Sequence, residues 1–361
     1  KEALRTLYNI VGDDPSPEVL VDLSIRLLVA SEALVTPNLD KEAIMSRLDG
    51  YQPAVQSMAQ SLNDACHGKS VVRSILIDWV EANFPMLATP LSMFVHNLLF
   101  HGHPYPETRI PYSSPRLDQV SDVFPSSESP LLMTLSLTSP SFSGKWHNLY
   151  SSEFHGRSFN RLEWSLLGYS GPTIMMVRTT EDATLGAFAA APWKDARHFY
   201  GNSECFLFQL DPQLKMYRRS AISEENFMFM HSDAFHSPVE PKNHDFPHGI
   251  GFGGTLAKPR LFVPASLEEC SADFFDKTFE SGELLPVSER EKFEIGYLEI
   301  WGVGGSETIE QGLRDRTEYR ERADAALIRA RVVSDRSAFV KDLKSGLIPN
   351  RVFAHDEQVR G

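Results

Sequence analysis

Phe199-Tyr200-Gly201-Asn202-Ser203-Glu204-Cys205-Phe206-Leu207-Phe208 decides how this chain is read. Cys205 to Phe208 is a short apolar run, and the turn formers Gly201, Asn202 and Ser203 precede it. An apolar run of that length bounded by turn residues has the pattern of a buried strand. Similar runs lie on both sides: Ile174-Met175-Met176-Val177 upstream, Phe227-Met228-Phe229-Met230 and Arg260-Leu261-Phe262-Val263 downstream. Residues 293–301 alternate and are rich in β-formers. Short helices are expected near residues 158–167 and 267–275. The strands do not follow a βαβ alternation, so the pattern predicts an α+β fold with antiparallel pairing.

Further upstream, the first hundred residues read as helical. Ser16-Pro17-Glu18 combines a capping hydroxyl, a proline at the first helical position and an acid facing the helix dipole. Leu20, Leu23, Leu27, Ala30 and Leu34 then step by three and four along one face. Pro53 opens another helix, with Val55, Met58, Leu62 and Cys66 on its face and Gly68 as its stop. Val72, Ile75, Leu76, Trp79 and Val80 mark the next. Thr89-Pro90 starts one carrying Leu91, Phe94, Val95, Leu98 and Leu99. Each apolar stripe must be buried against something. Between 102 and 130 prolines recur, at Pro104, Pro106, Pro111, Pro115, Pro125 and Pro130, which marks a linker or extended strap. Residues 306–345 hold no proline and a single glycine, Gly312, amid dense Arg, Glu and Asp. That is a long, largely solvated helix or helix pair. The resulting division is 1–101 helical, 102–130 linker, 131–305 mixed α+β, and 306–361 a charged helical tail.

Composition narrows the function. The 361 residues suffice for two domains, and 42% hydrophobic with 23% charged residues fits a folded chain rather than a disordered one. A formal net charge of -13 counts against a free nucleic-acid binder and against broad adhesion to anionic membranes. The longest apolar stretches are broken by Arg26, Asp78 or His96, so no membrane span is expected. Cys66, Cys205 and Cys270 are far apart and form no CxxC pair, which points to a reducing, cytoplasmic setting.

Several groups invite a chemical reading. His231, Asp233, His236, His244, Asp245 and His248 are dense enough to suggest a divalent metal. No HExxH or CxxC spacing fixes a geometry, and the turn formers among them favour a polar loop. Gly249 to Gly254 superficially resembles a phosphate cradle, but Pro259 and a β-like run follow where a helix should start. Cys205 sits in an apolar run beside Glu204, and both surroundings disfavour a thiolate. Ser158 with His155 or His147 has no nucleophile elbow. No catalytic, cofactor or metal residue is therefore assigned. The partner-binding candidates lie on the charged tail: Arg314, Arg316, Arg320, Arg322, Leu327, Arg329 and Arg331. Arginine forks suit ion pairing at protein interfaces.

The second half also resembles a known family. The residues that carry the likeness are Trp146-His147-Asn148-Leu149-Tyr150-Ser151-Ser152-Glu153-Phe154-His155-Gly156-Arg157-Ser158-Phe159, then Leu185-Gly186-Ala187-Phe188, Ala191-Pro192-Trp193-Lys194 and the opening decapeptide. Gly249-Ile250-Gly251-Phe252-Gly253 and residues 293–302 complete it. Together they resemble the TLDc domain of the oxidation-resistance family. One departure is Gly253-Gly254-Thr255, where the family carries an apolar pair after its glycine. The resemblance implies a β-sandwich with flanking helices and no established catalytic centre. The order of helices, linker, TLDc-like region and charged helix is similar to the lysosome- and vacuole-associated branch, whose members bind the V-type proton-pumping ATPase. It thus implies a non-catalytic regulatory protein without a cofactor. That protein would contact the pump's soluble V1 sector, at its head and peripheral stalk. It would modulate pump assembly or activity, lie peripherally on vacuolar, lysosomal or other endomembranes, and serve oxidative-stress resistance. The alternatives are a direct antioxidant enzyme and a scaffold for trafficking proteins.

Overall fold

The computed structural model describes residues 2–12, 15–35, 41–100, 115–124, 129–222, 224–232, 247–286 and 292–344, the side chains of 32, 35, 43, 47 and 326–344 excepted. Six helices come first: α1 (Glu2–Val11), α2 (Pro17–Val35), α3 (Lys41–Gly50), α4 (Gln52–Ala65), α5 (Arg73–Asn83) and α6 (Thr89–Leu99). Their starts follow the local chemistry. Ser16 Oγ accepts from the Val19 N–H at the head of α2, and proline stands in the first turn of α4 and of α6. Gly68, with φ of 68°, is the residue that lets the chain turn after α4.

The strands form two sheets. The larger has seven strands in the order β1-β2-β11-β3-β4-β5-β6: β1 (Arg116–Leu117), β2 (Lys145–Ser151), β3 (Thr173–Thr179), β4 (Thr184–Ala189), β5 (Phe206–Asp211), β6 (Lys215–Tyr217) and β11 (Ile295–Gly302). The smaller has four in the order β10-β9-β8-β7: β7 (Met228–His231), β8 (Gly249–Phe252), β9 (Leu261–Pro264) and β10 (Ser271–Ala272). Pairing is antiparallel except for β1, which runs parallel to β2. Short helices α7 (Pro130–Ser136), α8 (Ser152–His155) and α9 (Phe159–Leu166) flank the sheets, and α10 (Ser306–Lys344) follows β11. The class is α+β.

The alternation of side chains along each strand divides the interior in two. On β3, Ile174 and Met176 join the core beneath α2, α4 and α5, while Met175 and Val177 join the core between the sheets. On β5, Phe206, Phe208 and Leu210 face the helices and Leu207 faces the smaller sheet. The larger sheet is thus covered on both faces, which is why its strands read as continuous apolar runs.

Several expectations fail. On α2 only Leu20 of the expected stripe is buried, and Val21, Ile25, Leu28 and Val29 enter the core instead; Val72, expected on the α5 stripe, is exposed. Residues 267–275 are not helical: Leu267 and Glu269 have φ of 58° and 49°, and β10 pairs with β9. Left-handed backbone at two positions within three residues cannot sit inside an α-helix. On α6, only Leu91 of the expected stripe is buried, while Val95, Leu98 and Leu99 are exposed. That helix packs on α2 through a different line, where Asn97 donates to Ser31 O and Oγ.

The strap also takes form. Residues 115–124 bring β1 to β2, and Asp118 engages the His147 ring and accepts from the Asn148 N–H. Residues 101–114 and 125–128, and with them most of the proline-rich stretch, lie outside the described residues.

Candidate functional site

The tail helix leaves the sandwich through Gly304 and Gly305, with φ of 99° and 88°. Its first part does not stand in solvent. Ile309 is buried, Leu313 packs partly against the inter-sheet core, and Gly312 lies against the Tyr169 ring. The Arg316 guanidinium donates to Ser165 O at 3.0 Å and that of Arg320 to Trp164 O at 3.0 Å. Arg320 also lies 5.5 Å from the centre of the Trp164 ring. Tyr319 sits over Gly168, where any Cβ would collide with it. Positions 309, 312, 313, 316, 319 and 320 form one helical stripe.

The two carbonyls belong to the last turn of α9, where backbone acceptors lack intrahelical partners and the dipole favours cations. Burial, followed by the like charge of Arg320, brings Arg316 down to about 10, so it stays charged near neutrality. Asp315 accepts from Ser170 Oγ and from the Gln311 amide, and these bonds hold its carboxyl below the usual range.

The expected partner-binding arginines therefore separate into two sets. Arg316 and Arg320 turn inward onto α9. Arg314 and Arg322 are exposed, Arg314 bonding Gln311 and Arg322 pairing with Glu318 at 2.8 Å. Leu327, Arg329 and Arg331 lie on the same helix, but their side chains are outside the described residues.

The other groups are held within the fold. His231 Nδ1 contacts Asp195 at 2.8 Å, and its ring meets that of His248 at 5.2 Å. Asp233, His236, His244 and Asp245 lie outside the described residues. Among the described residues, no three His, Cys, Asp or Glu gather as a metal site would require. His147 is engaged by Asp118, and His155 accepts the Ser151 N–H and stacks on Tyr150. Gly249 to Phe252 is strand β8, and Gly253 and Gly254 turn with φ of 65° and 68°. The Gly254 N–H donates to Asp276, and the positive φ of Gly254, with the Lys258 carbonyl oxygen crowding the place where a Cβ would stand, accounts for glycine where the likeness expects an apolar pair. Cys66, Cys205 and Cys270 are buried, and burial pushes each thiol up, Cys270 to about 12.

A polar pair in the interior had no signal in the sequence. Glu163 of α9 has no exposed surface, and the Ser232 hydroxyl donates to its carboxylate at 2.7 Å. Burial first, and then the charge of Asp195, push this carboxyl up to about 7 against the pull of Ser232. Burial, and then the charges of Glu163 and Asp195, raise the Tyr319 hydroxyl of α10.

The TLDc family profile matches residues 126–304. This chain carries a TLDc domain. The MTOR-associated protein MEAK7 of Danio rerio is 30% identical over 178 residues, spanning 48% of this chain and 36% of the relative. That of Mus musculus is 25% identical over 253 residues, spanning 68% of this chain and 50% of the relative. Oxidation resistance protein 1 of Bos taurus is 27% identical over 156 residues, spanning 43% of this chain and 16% of the relative. The chain thus spans half or less of the length of these relatives. The described docking contacts of α10, on Trp164, Ser165, Gly168 and Tyr169, lie within the matched residues, and α10 begins just beyond the last of them. Among the described residues no helix is long and apolar enough to cross a membrane.

Proposed function

We propose that this chain is a non-catalytic regulatory protein that binds the V-type proton-pumping ATPase and modulates its assembly or activity. The pump's soluble V1 sector is the partner, touched at its head and peripheral stalk. The protein sits in the cytoplasm, peripherally on vacuolar, lysosomal or other endomembranes, and contributes to oxidative-stress resistance. The working division is a helical region (1–101), a strap (102–130), the TLDc domain (131–305) and a helical tail (306–361).

The observation that carries this reading is the 39-residue helix α10, anchored on a TLDc domain by its first turns and continuing past them with exposed charges of both signs. Exposed charges of both signs along a helix suit electrostatic complementarity with a protein surface. Relatives named for resistance to oxidation and for association with another protein support a regulator that acts by contact. A ligand that prefers one assembly state of the pump shifts the population toward it without any chemistry of its own. The antioxidant-enzyme reading requires an accessible thiolate, and burial of Cys66, Cys205 and Cys270 disfavours one.

Affinity purification of the tagged chain, with and without residues 306–361, tests the proposal. Recovery of V1 head and stalk subunits, lost or weakened on truncation, is the expected result. Recovery of no pump subunit by either form overturns it and favours a scaffold for other proteins.

A further inference from the structure

We propose that Gly312, Arg316, Tyr319 and Arg320 are positioning residues: they dock the first turns of α10 on the TLDc domain and thereby fix the direction in which the rest of the helix is offered to a protein partner. The inference rests on the functional reading above and adds to it that orientation, beyond the side chains of the tail, determines binding.

Three observations lead there. The inward stripe is anchored at four points: a glycine under Tyr169, a half-exposed tyrosine over Gly168, and two guanidinium groups on the last carbonyls of α9. The outward positions Glu310, Arg314, Glu318, Glu321 and Arg322 are exposed and of mixed sign, with no apolar residue among them. A helix with so little to bury is marginal by itself, so the docked turns supply its nucleus. Lastly, the helix is a lever. At about 1.5 Å per residue the part beyond Arg320 reaches roughly 36 Å, and a tilt of about 10° at the dock moves its tip about 6 Å. A displacement of that size separates side chains from the pocket they fit, whereas a rigid mount lowers the ordering cost of binding.

Gly312→Ala separates orientation from helicity. Alanine is the better helix former, yet its Cβ would stand 2.5 Å from Tyr169 Cε2. Nitroxide labels on the full chain at Glu181→Cys and Asp324→Cys, both exposed positions, report the angle of α10 as an electron-spin distance distribution. Affinity for the purified V1 sector is measured on the same proteins. The native chain is expected to give one narrow distance peak. Gly312→Ala should broaden it and weaken V1 binding at least tenfold, with helical circular dichroism undiminished. The double variant Arg316→Gln, Arg320→Gln, which inserts no bulk, should act in the same direction. A broadened peak with unchanged affinity overturns the inference, and so does a peak that stays narrow in both variants. If the native chain shows a narrow peak and no V1 binding, the functional reading fails, and this inference fails with it.

Discussion

Glu163 shows how a single buried group sets a dependence on pH. An ordinary carboxyl at 4.5 is raised here to about 7. The folded state therefore holds a proton that the unfolded chain releases earlier. Stability is highest where the group is protonated in both states, falls as pH rises from the ordinary carboxylate range toward 7, and is lowest above it. At about 1.4 kcal/mol per unit the full cost is on the order of 3 kcal/mol. Glu163→Gln keeps an acceptor for Ser232 and removes the charge. It should raise the melting temperature above pH 7.5 by the equivalent of about 1–3 kcal/mol and change little near pH 4. An equal effect at both pH values in a melting series would show that Glu163 is not the titrating group. The thiols give a second residue-scale prediction. A thiol reagent at pH 8 should leave Cys66, Cys205 and Cys270 unmodified in the native chain over minutes and react with all three after unfolding. Native-state labelling of Cys205 or Cys270 would reopen the redox reading. At this scale the sequence was least informative. Arg316 and Arg320 look like Arg314 and Arg322 until Gly312 is seen against Tyr169, a contact between residues far apart in the chain. Glu163 likewise gave no sign that Ser232 would close over it.

Elements were more legible where the signal was local, and less so where a distant partner decided the outcome. The proline-marked caps of α2, α4 and α6 and the apolar runs of β3, β5, β7 and β9 lie where periodicity and turn chemistry place them. The strap was marked by its prolines, but its anchor was not. Ser121 Oγ and the Asp122 N–H both donate to Glu299 on β11, at 2.7 and 2.6 Å, across 178 and 177 positions of sequence. Trp301 Nε1 donates to the same carboxylate at 2.9 Å. Burial raises the Glu299 carboxyl, and these three donors work against that rise. Glu299→Ala would strand them in the interior, at about 1–3 kcal/mol for each buried donor left unmet. The expected loss is about 3–5 kcal/mol in thermal or denaturant unfolding, with faster tryptic cutting after Arg116 as the strap detaches. A variant that melts like the parent and resists trypsin equally well would mean that the strap is held by Val123 and Phe124 in the core, not by Glu299. The error at 267–275 has the opposite origin. There the local pattern allowed a helix, and the pairing of β10 with β9 overrode it.

Across the whole molecule, the helical region and the TLDc domain share one interior. Ile174, Met176, Phe188, Phe206, Phe208 and Leu210 lie in the same core as Leu28, Met58, Leu62 and Trp79. Arg218 ties the two together. It donates to the carbonyls of Ala82 and Asn83 at the end of α5 and to Thr138 O, with its guanidinium 4.6 Å from the centre of the Phe206 ring. Each large apolar side chain so buried contributes about 1.5–3 kcal/mol relative to exposure. Removing residues 1–114 would therefore uncover a continuous apolar face, of which α7 and Phe142 cover only part. Patches larger than a few hundred Å² are seldom left open on a soluble monomer. The 115–361 fragment should accordingly self-associate on size-exclusion chromatography and bind a hydrophobic dye. By the described contacts, removal of 306–361 uncovers the line beneath Ile309, Gly312, Leu313, Arg316, Tyr319 and Arg320 and should leave a monomer with a modestly lower melting temperature. The contrast between the two truncations is the informative result. If the 115–361 fragment is monomeric and melts cooperatively, the helical region is an attached module whose loss leaves the larger sheet intact, and the shared core is contact without dependence. If it aggregates while the tail deletion does not, the helices are the second wall of the TLDc sheet. A partner that prised them away would then expose the sheet itself.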